Sequence, residues 1–304
     1  MPSRGLIKQK MPTFAVRKQR KETMANVKQM QDIATQVRRD IIRMVNGCQS
    51  GHPGGSLGCA DFMTALYFDA MEFDIDNFTR SGAGEDMFFL SNGHISPVWY
   101  SVLSRRGYFP VSELGTFRRL GTRLQGHPSI HDSLPGVRQA SGSLGQGLSV
   151  AIGAALAKKM NKDEKLVYTL HGDGELQEGQ IWEAVMFAGA NHVDNLISTI
   201  DVNNLQIDGS TNEVCSLGDL RAKFEAFMWE VVEMEGNDMN AVVEGLKLAK
   251  QKTKQGKPVV ILMHTQMGYG VDFMQNKNKW HGTPPDDEQA SQALSQLKET
   301  LGDY

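Results

Sequence analysis

The strongest constraint on this chain is an alternation in its second half. Short apolar runs at residues 166–170, 195–200 and 259–263 are separated by helical stretches at 180–191 and 239–253, with an Ala-rich helical stretch at 148–160 before the first run. A further run, Met87-Phe88-Phe89-Leu90, precedes them. Runs of four to six apolar residues fit buried strands, and strands joined through helices imply right-handed crossovers into a parallel sheet. The expected fold is therefore α/β, a parallel sheet with helices on both faces. In such sheets ligands lie beyond the carboxyl ends of the strands. The loops after Leu90, Leu170, Ile200 and Met263 then share one edge.

The first half is read from period and punctuation. Val27, Met30, Ile33, Ala34, Val37, Ile41, Met44 and Val45 recur at three and four, the signature of an amphipathic helix, which ends at Asn46-Gly47. Residues 50–58 read as a Gly-rich loop, residues 61–71, 96–106 and 111–120 as helices, and residues 286–301 as a final helix.

The chemistry concentrates in two strand-end loops. His171-Gly172-Asp173-Gly174 follows one strand and Asp201-Val202-Asn203-Asn204 the next, with 28 residues between Gly174 and Asn203. That spacing accommodates one helix and one strand, so a carboxylate and an amide face one hard cation. Mg²⁺ takes oxygen ligands and is commonly shared with phosphates. Gly172 and Gly174 let backbone approach a diphosphate closely. The plainer reading is a tight turn whose Asp caps the next helix, and a lone GDG would favour it.

The GDG and NN pair resembles the thiamine diphosphate signature. Other segments resemble transketolase: Ser50-Gly51-His52-Pro53-Gly54, Ser91-Asn92-Gly93-His94, Gly126-His127-Pro128, Ser141-Gly142-Ser143-Leu144-Gly145-Gln146-Gly147 and Trp280-His281-Gly282. They occur in that family's order and span residues 50 to 285. The resemblance implies a thiamine diphosphate-binding fold over residues 24–304. It implies that Asp173, the Asn203 side chain and the Leu205 carbonyl hold Mg²⁺ or another divalent cation such as Ca²⁺. Gly174 and Asn203 would meet the diphosphate, and Gly142, Ser143 and Leu144 would line the cofactor through backbone groups. His94 would lie near cofactor and diphosphate, and His281 would reach the diphosphate as well. Ser143 stands where the family loop often has Pro, and Val202 where an acidic residue often precedes the metal Asn.

The implied reaction moves a two-carbon ketol unit from a ketose phosphate to an aldose. His52 and His281 would share proton transfer at the donor hydroxyls, and His127 would hold the ketol hydroxyl. Imidazole suits this work because it titrates near neutrality and both donates and accepts. Glu178 matches a residue that links two active sites across the family's dimer, although a carboxylate at a helix start is also favoured by the helix dipole alone. Glu175 matches no role in that family.

Transketolases are about twice this length, and their second domain activates the cofactor's pyrimidine and binds the sugar phosphate. The expectation is an N-terminal subunit of a split transketolase. It would work with a separate C-terminal subunit, self-associate across a two-fold and take sugar phosphates as substrates, with the pentose phosphate pathway as the default setting. The alternatives are the α subunit of a 2-oxo acid dehydrogenase, a 1-deoxyxylulose-5-phosphate synthase and a non-catalytic cofactor-binding subunit.

Composition excludes other classes. With 32 Lys and Arg against 35 Asp and Glu, the net charge of −3 argues against a general nucleic-acid binder. No run of 18 apolar residues offers a membrane span. Cys48, Cys59 and Cys215, without CxxC pairing, fit reduced thiols and a cytoplasmic protein. Residues 1–23 carry seven basic side chains against Glu22 alone, and read as a basic, disordered tail before Met24 or, less simply, as an organelle transit peptide.

Overall fold

The computed structural model describes residues 26–304, so the tail expected at 1–23 and the boundary at Met24 lie outside the described residues. The first helix, α1 (Val27–Gly47), opens with a capping box in which Asn26 and Gln29 satisfy each other's backbone N–H groups. It buries Met30, Ala34, Val37, Ile41 and Val45, the stripe set by its period.

Residues 50–58 are not all loop. Pro53–Gly58 forms a short buried helix, α2, with Pro53 in the first turn, where its missing N–H is harmless. The glycines that suggested a loop allow close packing instead. Helix α3 (Ala60–Ala65) runs into a π-turn, Leu66–Ala70, so the expected helix at 61–71 changes its winding midway. Strand β1 (Met87–Leu90) leads through a 3-10 turn (Gly93–Ile95) into α4 (Ser96–Arg106). The expected helix at 111–120 is only a 3-10 segment, Val111–Thr116, because Arg118 takes a left-handed backbone (φ 56°).

Next come α5 (Gly147–Met160), β2 (Val167–Gly172), α6 (Gly179–Ala190) and β3 (Leu196–Val202). A two-stranded hairpin, β4 (Leu205–Gln206) and β5 (Gly209–Ser210), follows with two short helices, α7 (Thr211–Cys215) and α8 (Leu220–Ala226). The chain closes with β6 (Glu230–Glu235), α9 (Met239–Lys252), β7 (Val259–His264) and α10 (Asp287–Gln296), the last shorter than the 286–301 expected.

The main sheet has the order β1-β2-β3-β7-β6, and its pairs are all parallel. Its side chains alternate between two apolar layers. Phe88, Leu90, Tyr168, Leu170 and Ile261 join the layer of α1, α3 and α4, whereas Met87, Phe89, Val167, Val260 and Leu262 join that of α5 and α6. Burial on both faces explains why the strands read as unbroken apolar runs. The register sets Gly172 beside Asp201 and Asp201 beside Met263, so the loops after β2, β3 and β7 leave the sheet at one level.

Candidate active site

Asp173 and the Asn203 loop meet at this edge. Asn204 takes a left-handed backbone (φ 61°) and turns its N–H onto Asp173 Oδ2 at 2.5 Å, while Gly174 N donates to Asp173 Oδ1 at 2.7 Å. The Asn203 amide donates to Asp201 Oδ2 at 2.8 Å, and its oxygen accepts from Leu205 N at 2.9 Å. Asp201 is buried and also accepts from the Thr265 hydroxyl. Burial, and then the Asp201 carboxylate nearby, push the Asp173 pKa up to about 7. Two buried carboxylates this close disfavour each other's ionised form.

A cavity of about 160 Å³ opens here, with Asp173, Gly174, Asn203, Leu205, His94 and His281 among its walls. A larger groove of about 610 Å³ between β6 and α9 contains none of these residues.

Four segments far apart in the chain bring their histidines together, two of them, His94 and His281, on the cavity wall. His52 precedes α2, whose Gly54 packs so closely on Met267 and the Trp280 carbonyl that a Cβ there would lie 2.7 Å from the Met267 side chain. That contact carries His52 to His281, with ring centroids 5.9 Å apart. His94 lies 5.0 Å from His52 and 5.2 Å from His281. His127 lies 6.4 Å from His52 on an exposed rim, its loop held to α4 by Ser96 Oγ donating to the Gly126 carbonyl (2.8 Å).

Burial lowers all four imidazole pKa values. His52 falls to about 4, with His281, Arg118 and His127 adding to the effect; His94 falls well below the usual value, and His127 and His281 fall too. The cluster is therefore neutral at pH 7. His52 Nδ1 and His281 Nδ1 are buried without a hydrogen-bond partner in the protein, as are Asn92 Oδ1 and Ser141 Oγ. Buried polar atoms seldom stay unpaired, and these fit a polar guest.

The loop 141–147 packs across the turn after β1. A Cβ on Gly93 would lie 2.5 Å from Ser141 Oγ, and Gly145 holds φ 84°. Leu144 reaches the cavity wall, Gly142 lies over His127, and Ser143 is exposed. Glu178 is exposed at the start of α6, packed beside Gly145.

One buried residue that sequence reasoning left without a role is Glu175. Burial alone would raise its pKa, but His171, Ser91 and the Gly145 N–H outweigh that and lower it. Asp201 is a second such residue. Its signal in the sequence is its place as the last acidic residue of a buried strand, two before Asn203.

The fold and the site together define the cofactor-binding half of an α/β enzyme, with buried oxygen groups beside a neutral imidazole cluster. The family model described as transketolase, thiamine diphosphate binding domain, matches residues 29–302. The chain is 38% identical over 264 residues to one of the subunits of the apulose-4-phosphate transketolase of Phocaeicola vulgatus, covering 87% of this chain and 92% of that protein. It is 38% identical over 269 residues to 6-deoxy-6-sulfo-D-fructose transketolase subunit SqwG of a Clostridium species, covering 88% and 96%. Among solved structures, transketolase from Campylobacter jejuni superposes with a TM-score of 0.82 at 32% identity, over 90% of this chain but 43% of that one. The chain thus spans less than half the length of the solved transketolases it resembles. The chain belongs to the transketolase family, as its thiamine diphosphate-binding domain.

Proposed function

We propose that this chain is the N-terminal subunit of a split transketolase, transferring a two-carbon ketol unit from a ketose phosphate to an aldose together with a separate C-terminal subunit. The observation that carries this reading is the grouping of His52 and His127 with His94 and His281, the last two lining the cavity that holds Asp173 and Asn203. Relatives named as transketolase subunits, of which this chain covers 92% and 96%, support the two-chain arrangement. The sugar-handling histidines disfavour a 2-oxo acid dehydrogenase, and the intact site disfavours a non-catalytic role.

Asp173, Asn203 and the Leu205 carbonyl would hold Mg²⁺. Among the described residues no three His, Cys, Asp or Glu side chains form a metal cluster, so a cation here would draw on the Asp173 carboxylate together with amide, backbone and diphosphate oxygens, as Mg²⁺ does. When bound, thiamine diphosphate supplies the electron sink for breaking the ketose carbon–carbon bond. His52 and His281, neutral and with open Nδ1 atoms, exchange the proton of the donor's reacting hydroxyl. His127 orients the ketol hydroxyl from the rim. His94 and the loop Gly142, Ser143 and Leu144 surround the cofactor, with Gly174 against the diphosphate.

A second copy of this chain fits the outer face of α5 and α6. These packed helices expose Val150 (44%), Met186 (54%) and Phe187 (46%), an apolar patch of the kind that marks an interface. Glu178 starts α6 beside that face and would reach the second site across a two-fold. Two copies of each chain would make a heterotetramer. The three free thiols suit a cytoplasmic setting, and no helix among the described residues is long and apolar enough to cross a membrane.

The test is reconstitution. Co-purified with a chain carrying the pyrimidine-binding domain, and given thiamine diphosphate and Mg²⁺, the pair is expected to transfer ketol units from xylulose 5-phosphate to ribose 5-phosphate. Apulose 4-phosphate and 6-deoxy-6-sulfofructose serve as further donors, since they are named for relatives. Transfer by this chain unaided, or a complex that binds no thiamine diphosphate, would overturn the reading.

A further inference from the structure

Glu175 sits two residues past Asp173 and is 3% exposed. Its Oε1 accepts from the Ser91 hydroxyl and from Gly145 N at 2.8 Å, and its Oε2 accepts from Gly172 N at 3.2 Å. Ser91 Oγ accepts in turn from Gly147 N at 3.2 Å. His171 Nδ1 lies 3.5 Å from Oε1, and His171 Nε2 bonds to Thr169 Oγ1 at 2.8 Å, which donates to Ser198 Oγ at 3.0 Å. One carboxylate thereby joins the end of β1, the end of β2 and two amides of the loop 141–147, with a polar chain behind it reaching β3.

A buried carboxylate is costly unless donors surround it. Here donors come from the loop as well as the sheet, and hydrogen bonds to an ionised group are about twice as strong as neutral ones. A loop that lifts away strips the carboxylate of the Gly145 N–H and frees Gly147 from Ser91. The loop position and the satisfaction of Glu175 are therefore one event.

We propose that Glu175 is a positioning residue, which through Ser91, Gly145 and Gly172 fixes the loop 141–147 against the strand ends and so preforms the cradle for a diphosphate cofactor. It acts through the loop and takes no part in proton transfer to sugar. The proposal deepens the thiamine diphosphate reading and rests on it.

The test uses the full chain with Glu175→Gln, Ser91→Ala and the pair combined. Glu175→Gln keeps one acceptor oxygen of similar shape but turns an N–H₂ toward a donor. Hydrogen exchange without cofactor is expected to speed up at least tenfold at the Gly145 and Gly147 amides, with distant α1 amides unchanged. The Kd for thiamine diphosphate with Mg²⁺ is expected to rise about 10–100-fold, as for residues that orient a site from behind. In the reconstituted enzyme, kcat at saturating cofactor stays within about threefold, and the combined variant binds cofactor no more than about threefold worse than Glu175→Gln alone, a coupling that independent structural defects lack. Should Glu175→Gln fail to fold, Ser91→Ala on its own strand reads the same exchange and Kd. Unchanged exchange at Gly145 and Gly147 with Kd within twofold of the unaltered chain overturns the proposal, as does a fall in kcat at unchanged Kd. An unaltered chain that binds no thiamine diphosphate overturns the functional reading instead, while loop exchange still reports on the latch.

Discussion

The side-chain amide of Asn203 donates to the Asp201 carboxylate at 2.8 Å, and this one bond decides which end of the amide is oxygen. With nitrogen held toward Asp201, Asn203 presents its oxygen on the side of Leu205 and the cavity. Asp201 is itself fixed by Thr265 from the neighbouring strand end. Replacing Asp201 with Ala releases the amide to turn over. The expected result is a roughly 10–100-fold weaker Kd for thiamine diphosphate with Mg²⁺, the usual cost of losing a residue that orients a ligand. Calorimetric titration measures it, and an unchanged Kd would show that the amide needs no such guide.

His52 stands at the centre of the histidine cluster, in contact range of the other three rings. Replacement by Ala is expected to lower kcat of the reconstituted enzyme by about 10²–10⁴-fold, the range for a lost acid–base group. Cofactor affinity should change little if His52 has the proposed role at the donor hydroxyls. Steady-state assays with cofactor titration separate the two effects.

The same cluster makes folding acid-sensitive. Folded His52 titrates near 4, against about 6.5 for an unfolded histidine. Between these values the unfolded chain binds more protons, so the contribution is complete above about pH 6.5 and is lost as the pH falls toward 4. His94, His127 and His281 shift in the same direction, and Arg118 adds to the effect on His52 and His127. Urea melts at pH 7, 6 and 5 should show declining stability, with a shallower decline for His52→Asn.

Gly189 packs on backbone rather than on side chain. A Cβ there would lie 1.9 Å from the Phe227 carbonyl oxygen, which no rotamer change relieves. Gly189→Ala is expected to destabilise the chain by about 1–3 kcal/mol, as other overpacked sites do. Denaturant unfolding checks this, and a gain in stability would mean that the turn after α8 yields freely.

The patch on α5 and α6 gives a solution prediction. Phe187→Glu places a charge in the exposed apolar face and is expected to abolish self-association in sedimentation experiments, with the melting temperature of the chain little altered. A dimer that survives the substitution would direct attention to another face.

Burial governs how much of this was legible. The four strands buried on both faces, β1, β2, β3 and β7, stood out as apolar runs, and α1, α5, α6 and α9 as helical stretches. Strand β6 escaped notice because Glu230, Glu233 and Glu235 interrupt it at the sheet edge, where one side meets water. The β4–β5 hairpin has strands of two residues, too short for a pattern. Helix α2 hid behind three glycines. Of the site, the motif residues were readable because glycines and histidines cluster there. Glu175 was not, because it matches no role in the family's motifs, and only the fold brings Ser91 and Gly145 to it.

The neutrality of the four imidazoles has a consequence for direction. An uncharged ring can accept a proton from an arriving sugar and, as the imidazolium so formed, return it to a departing one. Such a site, like any catalyst, lowers the barrier to making and to breaking the ketose alike. The balance of sugars around the protein, rather than any asymmetry built into its side chains, then decides which way the ketol unit travels.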